Sequence, residues 1–276
     1  MRDQAIVIYC ICDEITKFLG IKDDIQCQMS SAEIMTFALL SGTVFNCNYK
    51  RMKLISKYLK FFKKVLSYSR IVQRIHLIPE SAWMMVFAAL QVFLRNKNRK
   101  IFIVDSFPVK AYENHKSFRA KIFSEKKYHG YTASKKQYFF GIKVHMIIDE
   151  DGVPIEFSFS AASVSDIKAF RDLPLNLPEG ALLLADAAYT DYSTEELLLN
   201  SQDVKLIPKR KSNSKRPHSG GEELLLQYER NRVETVFSGI THFLPRYIKA
   251  KTEKGFCLKV MISILAYMVC RFHPIA

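Results

Sequence analysis

Two aspartates stand at positions where a sheet can carry chemistry. Asp105 closes the short apolar run at 101–104, and Asp186 closes the run at 181–185. In an α/β sheet, sites gather at the carboxyl ends of strands. Two carboxylates placed there repel each other unless a cation lies between them. A third acid, Glu234, falls on a helix expected over 222–240, beside the core stripe of Val233, Val236, Phe237 and Ile240. Arg230 is its i−4 neighbour and can pair with it. Two strand-end aspartates and a helical glutamate are what two-metal phosphoryl transfer requires. Mg²⁺ takes a few carboxylate oxygens and completes its octahedron with water and phosphate. Two such ions ~4 Å apart stabilise the attacking and leaving oxygens of an in-line displacement. Taken singly, each acid is an ordinary turn, cap or surface residue. Charge and strand order give the trio its weight.

The elements that must position these residues are legible from Lys100 onward. The run at 101–104 reads as a strand that ends near Asp105, because Pro108 does not belong inside a central strand. A strand over 138–148, a turn at 149–152 and a strand over 154–160 form a hairpin. A short helix over 165–173, a strand at 181–185, a helix over 190–200, a strand over 204–207 and long helices over 222–240 and 256–270 follow. This order predicts a mixed sheet of five strands, antiparallel early and parallel late, flanked by helices. Residues 1–98 read as helical instead. Ser30 and Glu33 have capping-box spacing before an apolar run. Met52, Ile55, Leu59, Phe62 and Leu66 recur at helical spacing, and a short helix capped by Ser67 or Ser69 stops at Pro79.

The chain has 276 residues, of which 49% are hydrophobic and 25% charged, which excludes wholesale disorder and a membrane bundle. Its 41 Lys and Arg against 27 Asp and Glu leave a formal charge of +14, pointing to a polyanion, nucleic acid first. The stretch 49–79 holds nine Lys and Arg and no acid. The six cysteines have no zinc spacing and read as buried free thiols of a reducing cytosol. The apolar run at 260–270 is short of the ~20 residues a membrane span needs and reads as a core helix.

A set of residues in fixed order then carries a resemblance. It comprises Asp105-Ser106-x-Pro108, Tyr128-His129-Gly130-Tyr131-x-Ala133-Ser134-Lys135-Lys136-x-Tyr138-Phe139, Gly141-x-Lys143-x-His145, Asp186-x-Ala188-Tyr189-x-Asp191-Tyr192 and Arg230-x-x-x-Glu234-Thr235-x-Phe237-Ser238. Together they resemble the DDE transposases of bacterial insertion sequences, in particular the insertion sequence 982 family. Ala187 stands where such enzymes often carry Lys, and Thr241 and His242 where related families carry Lys or Arg. The resemblance implies an α/β, RNase H-like catalytic domain over 99–276 with a basic insert at 106–137. It also implies an all-α, helix-turn-helix-like DNA-binding region over 1–98. Asp105, Asp186 and Glu234 become the catalytic residues and ligands of two Mg²⁺, with Mn²⁺ as a substitute ion. The implied partner is double-stranded DNA, both element ends and target, bound by a homo-oligomer. It implies no membrane partner and a bacterial cytoplasmic setting beside the nucleoid.

Several basic residues are candidates for DNA contact. Arg70 and Arg74 on the later helix of the acid-free stretch could enter a major groove or touch backbone only. Lys143 and His145 share one strand face, directed either at DNA or at solvent. In the insert, Lys126, Lys127, Lys135 and Lys136 interleave with Tyr128, Tyr131, Tyr138 and Phe139, a mixture that can stack bases and hold phosphates. With eight Lys and Arg against Glu113 and Glu125, the insert is expected to be a mobile lid. Lys209, Arg210 and Lys211 suit phosphates as part of a loop, and Arg230 is a further contact. Asp166 reads as a helix cap or a fourth acid near the metals. Two other functions stay open: an RNase H-like nuclease that cuts without joining, and a transposase-derived DNA-binding protein that needs no metal.

Overall fold

The computed structural model describes residues 2–113, 121–132, 136–211 and 214–272, the Arg230 side chain excepted. They form two compact units, residues 1–94 with 239–276 and residues 95–238. This division departs from the expected cut at residue 98. The last helix belongs with the helical unit because its apolar faces are buried there.

The helical unit contains α1 (Arg2–Phe18), α2 (Ser31–Phe45), α3 (Tyr49–Tyr58), α4 (Tyr68–Leu77), α5 (Glu80–Leu94) and α9 (Glu253–Phe272). The Ser30–Glu33 capping box opens α2: Glu33 N donates to Ser30 Oγ at 3.1 Å, and Ser30 N to Glu33 Oε2 at 2.7 Å. Residues 34–42 of α2 are buried. It packs against α9 so closely that a Cβ on Gly42 would lie 3.0 Å from Ala266 Cβ. With 20 residues, α9 is long and apolar enough to span a membrane, but most of it is buried among α2 and α5.

The helix expected across Met52–Leu66 stops at Tyr58. Lys60 turns left-handed, with φ +53°, and Phe62 folds back to meet Phe37 with ring centroids 6.2 Å apart. Burying Phe62 outweighs continuing a helix loaded with lysines. Ser67 caps α4, its hydroxyl accepting Arg70 N at 3.4 Å. The cysteines are free, but only Cys12 and Cys47 are fully buried, so the expectation of buried thiols holds for those two. Burial pushes their thiols up to about 12 and about 11.

The second unit is a mixed sheet of six strands: β1 (Ile101–Glu113), β2 (His129–Thr132), β3 (Gln137–Asp149), β4 (Pro154–Ala161), β5 (Leu182–Ala185) and β6 (Lys205–Pro208). Its central order is β2-β3-β1-β5-β6, and β4 also pairs with β3. β1 runs antiparallel to β3 and parallel to β5, and β5 runs parallel to β6. The unit's described α-helices are α6 (Asp166–Arg171), α7 (Tyr192–Gln202) and α8 (Gly220–Phe243) as far as Ser238, the residues of α8 from Gly239 on belonging to the helical unit.

Three expectations change here. β1 does not end at Asp105: it continues through Pro108, which pairs with Lys143. The neighbouring β5 pairs only with Ile101–Val104, so beyond Asp105 this side of β1 is a sheet edge, where proline is tolerated. The sheet gains a sixth strand, β2, from within the basic insert. For the same reason parts of the insert are sheet and not loop: Ser106–Lys110, Tyr112, Glu113 and His129–Thr132 are ladder residues. A bulge between Lys110 and Tyr112 faces Gly141, where a Cβ would stand 2.3 Å from Val109 O, so only glycine fits.

Candidate active site

The parallel ladder between β1 and β5 ends with Val104 opposite Ala185. Asp105 and Asp186 are the next residues, so the two acids are neighbours: Asp105 lies within β1 where its pairing with β5 stops, and Asp186 lies just past the end of β5. Each is fixed locally: Asp105 Oδ1 accepts Ser106 N, and Asp186 Oδ1 accepts Ala187 N, both at 2.7 Å. Asp186 caps a single 3-10 turn, Ala187–Tyr189, that returns the Tyr189 ring to the core, where it packs edge-on against Phe170. Tyr189 is 1% exposed, and its hydroxyl lies beside Ser106. Burial first, then the charges of Asp105, Asp166 and Asp186, hold that phenol well above its ordinary range. Three carboxylates therefore concentrate negative charge around one buried hydroxyl. Neither composition nor spacing signalled the position of Tyr189. A bulky apolar ring three residues past a strand-end aspartate was the available clue.

Beside Asp105, a polar network holds β1 and β3 to α6. Asp166 is the first residue of α6 rather than its cap, which is Ser165. Its Oδ1 accepts Ser106 Oγ at 2.8 Å and Lys143 Nζ at 3.1 Å, and Lys143 also donates to Val164 O at 3.0 Å. His145 lies opposite Ser106 in the ladder, and its Nε2 is 2.8 Å from Ser160 Oγ. Its side chain is completely buried. Burial lowers its pKa to about 4, with Lys143 adding to the effect and Asp166 opposing it. Lys143 and His145 do share one strand face, as their alternation implies, but the His145 side chain is closed off from solvent. The expectation of a DNA-facing histidine gives way to a neutral ring packed under the sheet. Ladder alternation also sets this face opposite to that of Asp105, whose cross-strand partner is Met146.

Glu234 lies exposed on α8, flanked by buried Val233 and Val236. One turn onward, Phe237 packs on Phe107 with ring centroids 4.6 Å apart. Phe107 shares the face of β1 that carries Asp105, so α8 crosses that face with Glu234 on the same side of the sheet as Asp105. Among the described residues, no three His, Cys, Asp or Glu side chains stand close enough together to hold a metal ion. The structure thus brings Asp105 and Asp186 together and sets Glu234 over the same face without closing the three into one cluster. The donor chemistry, carboxylate oxygens in a field of like charge, suits a hard divalent cation.

The other basic candidates divide into exposed and committed side chains. Lys126, Lys127, Lys136, Lys209, Lys211 and Arg70 are exposed. Lys127 pairs with Glu125 at 2.9 Å and lies over the Tyr128 ring. Arg210 is not free for phosphate: its guanidinium forms a bidentate pair with Glu195 at 2.6 and 2.8 Å, with both side chains nearly buried. Arg74 is likewise bound to Asp23 at 2.6 Å. Sequence spacing could not reveal either pairing, since the partners come from distant segments. Lys135 and the Arg230 side chain lie outside the described residues.

Alongside the exposed lysines, aromatic rings form a continuous ladder on one face of β1, β2 and β3. Tyr131 meets Tyr138 at 4.8 Å, Tyr138 meets His129 at 5.1 Å, His129 meets Phe140 at 4.8 Å and Phe140 meets Tyr112 at 5.2 Å. The outer two rings, Tyr131 and Tyr138, are about half exposed, whereas Phe139 points to the other face and is buried.

No curated protein matches the chain. A family profile described as a transposase DDE domain matches residues 96–269, more than half of the chain. The six-stranded mixed sheet flanked by helices is consistent with an RNase H-like domain of that kind. On this match the chain belongs to the transposase DDE domain family.

Proposed function

We propose that this chain is an insertion-sequence transposase, of the type represented by the 982 family. In this reading it binds the ends of its element and catalyses metal-dependent DNA cleavage and strand transfer. Family membership supports a DNA-cutting and strand-transferring enzyme in general terms. The observation that carries the specific reading is the pair Asp105 and Asp186, neighbours at the end of the β1–β5 ladder, with α8 carrying Glu234 over the face of β1 that bears Asp105.

Asp105, Asp186 and Glu234 would hold Mg²⁺. When bound, the ions supply charge stabilisation at the attacking and leaving oxygens and activation of a nucleophile. The protein's own groups do the positioning. Hydrogen bonds from Ser106 N and Ala187 N fix the two aspartates. Tyr189 fills the space behind them and excludes water from the sheet core. The Ser106–Asp166–Lys143 network anchors the strand immediately past Asp105. Among the described residues no three His, Cys, Asp or Glu side chains stand close enough to hold a metal ion, so this reading requires Glu234 to lie closer to the aspartates in the metal-bound form. Lys126, Lys127 and Lys136 then contact phosphates, with Tyr131 and Tyr138 available to stack on unpaired bases. The helical unit, with exposed Arg70, contributes duplex binding, and the active form is a homo-oligomer on DNA.

The test is incubation of the full chain with Mg²⁺ and the DNA flanking its own gene, followed by mapping of nicks and joined products. Cleavage at the element ends with joining to a target supports the proposal. Cleavage without joining supports the nuclease reading, and binding without cleavage supports a non-catalytic DNA-binding protein.

A further inference from the structure

The helical unit contains a cavity of about 880 Å³ that the active site does not use. Five cations line it: Lys50 and Arg51 at the start of α3, Arg246 and Lys249 in the segment after α8, and Lys259 on α9. No Asp or Glu lines it, and among the described residues none of the five cations makes an ion pair.

Lys259 is the most informative member. Its ammonium donates to the Lys249 carbonyl and lies 5.7 Å from the centroid of the buried Tyr49 ring. Burial lowers its pKa, with Cys47 opposing and the Lys249 charge adding to the effect. A half-enclosed ammonium beside like charges is costly unless an anion supplies the missing counter-charge.

The walls are also built before any ligand arrives. Asn46 and Cys47 are left-handed, with φ +48° and +58°, and turn the chain sharply between α2 and α3. The Asn46 amide donates to the His242 carbonyl and, at 3.5 Å, to the Leu244 carbonyl. That amide ties the segment carrying Arg246 and Lys249 to the turn carrying Lys50 and Arg51.

We propose that this cavity binds the phosphodiester backbone of duplex DNA, an inference that rests on the transposase reading. The cavity is too large for one phosphate and accommodates a sugar-phosphate segment. Its cations stand on two walls, and Tyr68 and Tyr247 add hydroxyl donors, the usual mixture for backbone contacts. The site is continuous in sequence with the acid-free stretch 49–79. It adds the segment after α8, whose Arg246 and Lys249 sequence reading did not single out.

The experiment measures affinity of the full chain for a labelled duplex of random sequence across a salt series. Each phosphate contact contributes about 0.9 to the slope of log K against log salt. Arg246→Gln with Lys249→Gln, both exposed positions, should lower that slope by about 2 and weaken binding roughly tenfold or more at low salt. Lys50→Gln with Arg51→Gln, from the other wall, should do the same, and Lys249→Arg should retain the wild-type slope. Neutralising exposed Lys17 and Lys22 controls for net charge and should leave the slope unchanged. A wild-type slope in both pocket variants, while the parent chain binds duplex normally, overturns this proposal alone. Failure of the parent chain to bind duplex at all overturns the transposase reading with it. In a parallel arm, inorganic phosphate at fixed ionic strength is added to a melting experiment. Stabilisation of the parent but not of the pocket variants, with unchanged duplex slopes, would mark a free-phosphate site and overturn the DNA proposal.

Discussion

Arg74→Ala should cost stability rather than DNA recognition. The guanidinium ties α4 to the loop before α2: it lies 2.6 Å from Asp23 Oδ1, 2.9 Å from Cys27 Sγ and 3.3 Å from Ser31 Oγ. The side chains of the ion pair are 16% and 26% exposed, between a solvent-screened pair and a buried one. Exposed pairs contribute about 0–1 kcal/mol, and removing one partner of a buried pair costs about 3–5 kcal/mol. Asp23 is not abandoned by the substitution, since its carboxylate keeps Ser31 N and Ser31 Oγ, each at 2.7 Å. The loss is therefore about 2 kcal/mol, toward the lower side of that range. For a chain of this size that is a fall of roughly 4–8 °C in melting temperature. Arg70→Ala, one turn earlier and exposed, serves as the contrast. It should melt like the parent and weaken duplex binding. Melting by circular dichroism and duplex binding by fluorescence anisotropy, measured on both variants, decide the matter. An Arg74→Ala protein that melts like the parent but loses DNA affinity would refute the assignment of Arg74 to the helical core.

Two other predictions concern the sheet unit. His145 is neutral and buried with its pKa at about 4, while an unfolded histidine sits at 6.5, so the unfolded chain takes up the extra proton between these values. Stability from this residue is full above pH 6.5 and falls as pH drops toward 4, by roughly 3 kcal/mol at most. Urea midpoints at pH 7 and pH 4.5 should differ less in His145→Gln than in the parent, and equal differences would contradict the argument. Tyr131→Ala with Tyr138→Ala should weaken single-stranded DNA binding by about 1–3 kcal/mol per base lost and spare duplex binding. Equal losses on both substrates would show that the rings only support the sheet.

Local signals in the sequence foretold the parts of the fold that depend on neighbours along the chain. The Ser30–Glu33 capping box, the Ser67 cap, the β3–β4 hairpin and the buried stripe of α8 all follow from short-range spacing and stand where expected. Features set by distant partners were not legible. Pro108 sits inside β1 because β5 is too short to cover that edge, which only the assembled sheet reveals. The lysine-rich helix breaks at Tyr58 because Phe62 finds Phe37. Arg74, Arg210 and His145 had the residue types of a phosphate surface, but Asp23, Glu195 and Ser160 engage them from elsewhere in the chain. In the candidate site, the place of Asp186 just past β5 was readable, whereas Asp105 lies inside β1 and only its ladder with β5 stops there. The role of Asp166 in holding Ser106 and Lys143 required the fold.

The central claim is that Asp105, Asp186 and Glu234 act as one unit in DNA cleavage. The most direct measurement compares Mg²⁺-dependent cleavage of element-end DNA by the parent chain with that by Asp105→Asn, Asp186→Asn and Glu234→Gln, alongside duplex binding by each. The account predicts that every variant loses cleavage while binding DNA at least as tightly as the parent, since removing negative charge does not weaken phosphate contacts. Parent-like cleavage by any one of the three variants would contradict it.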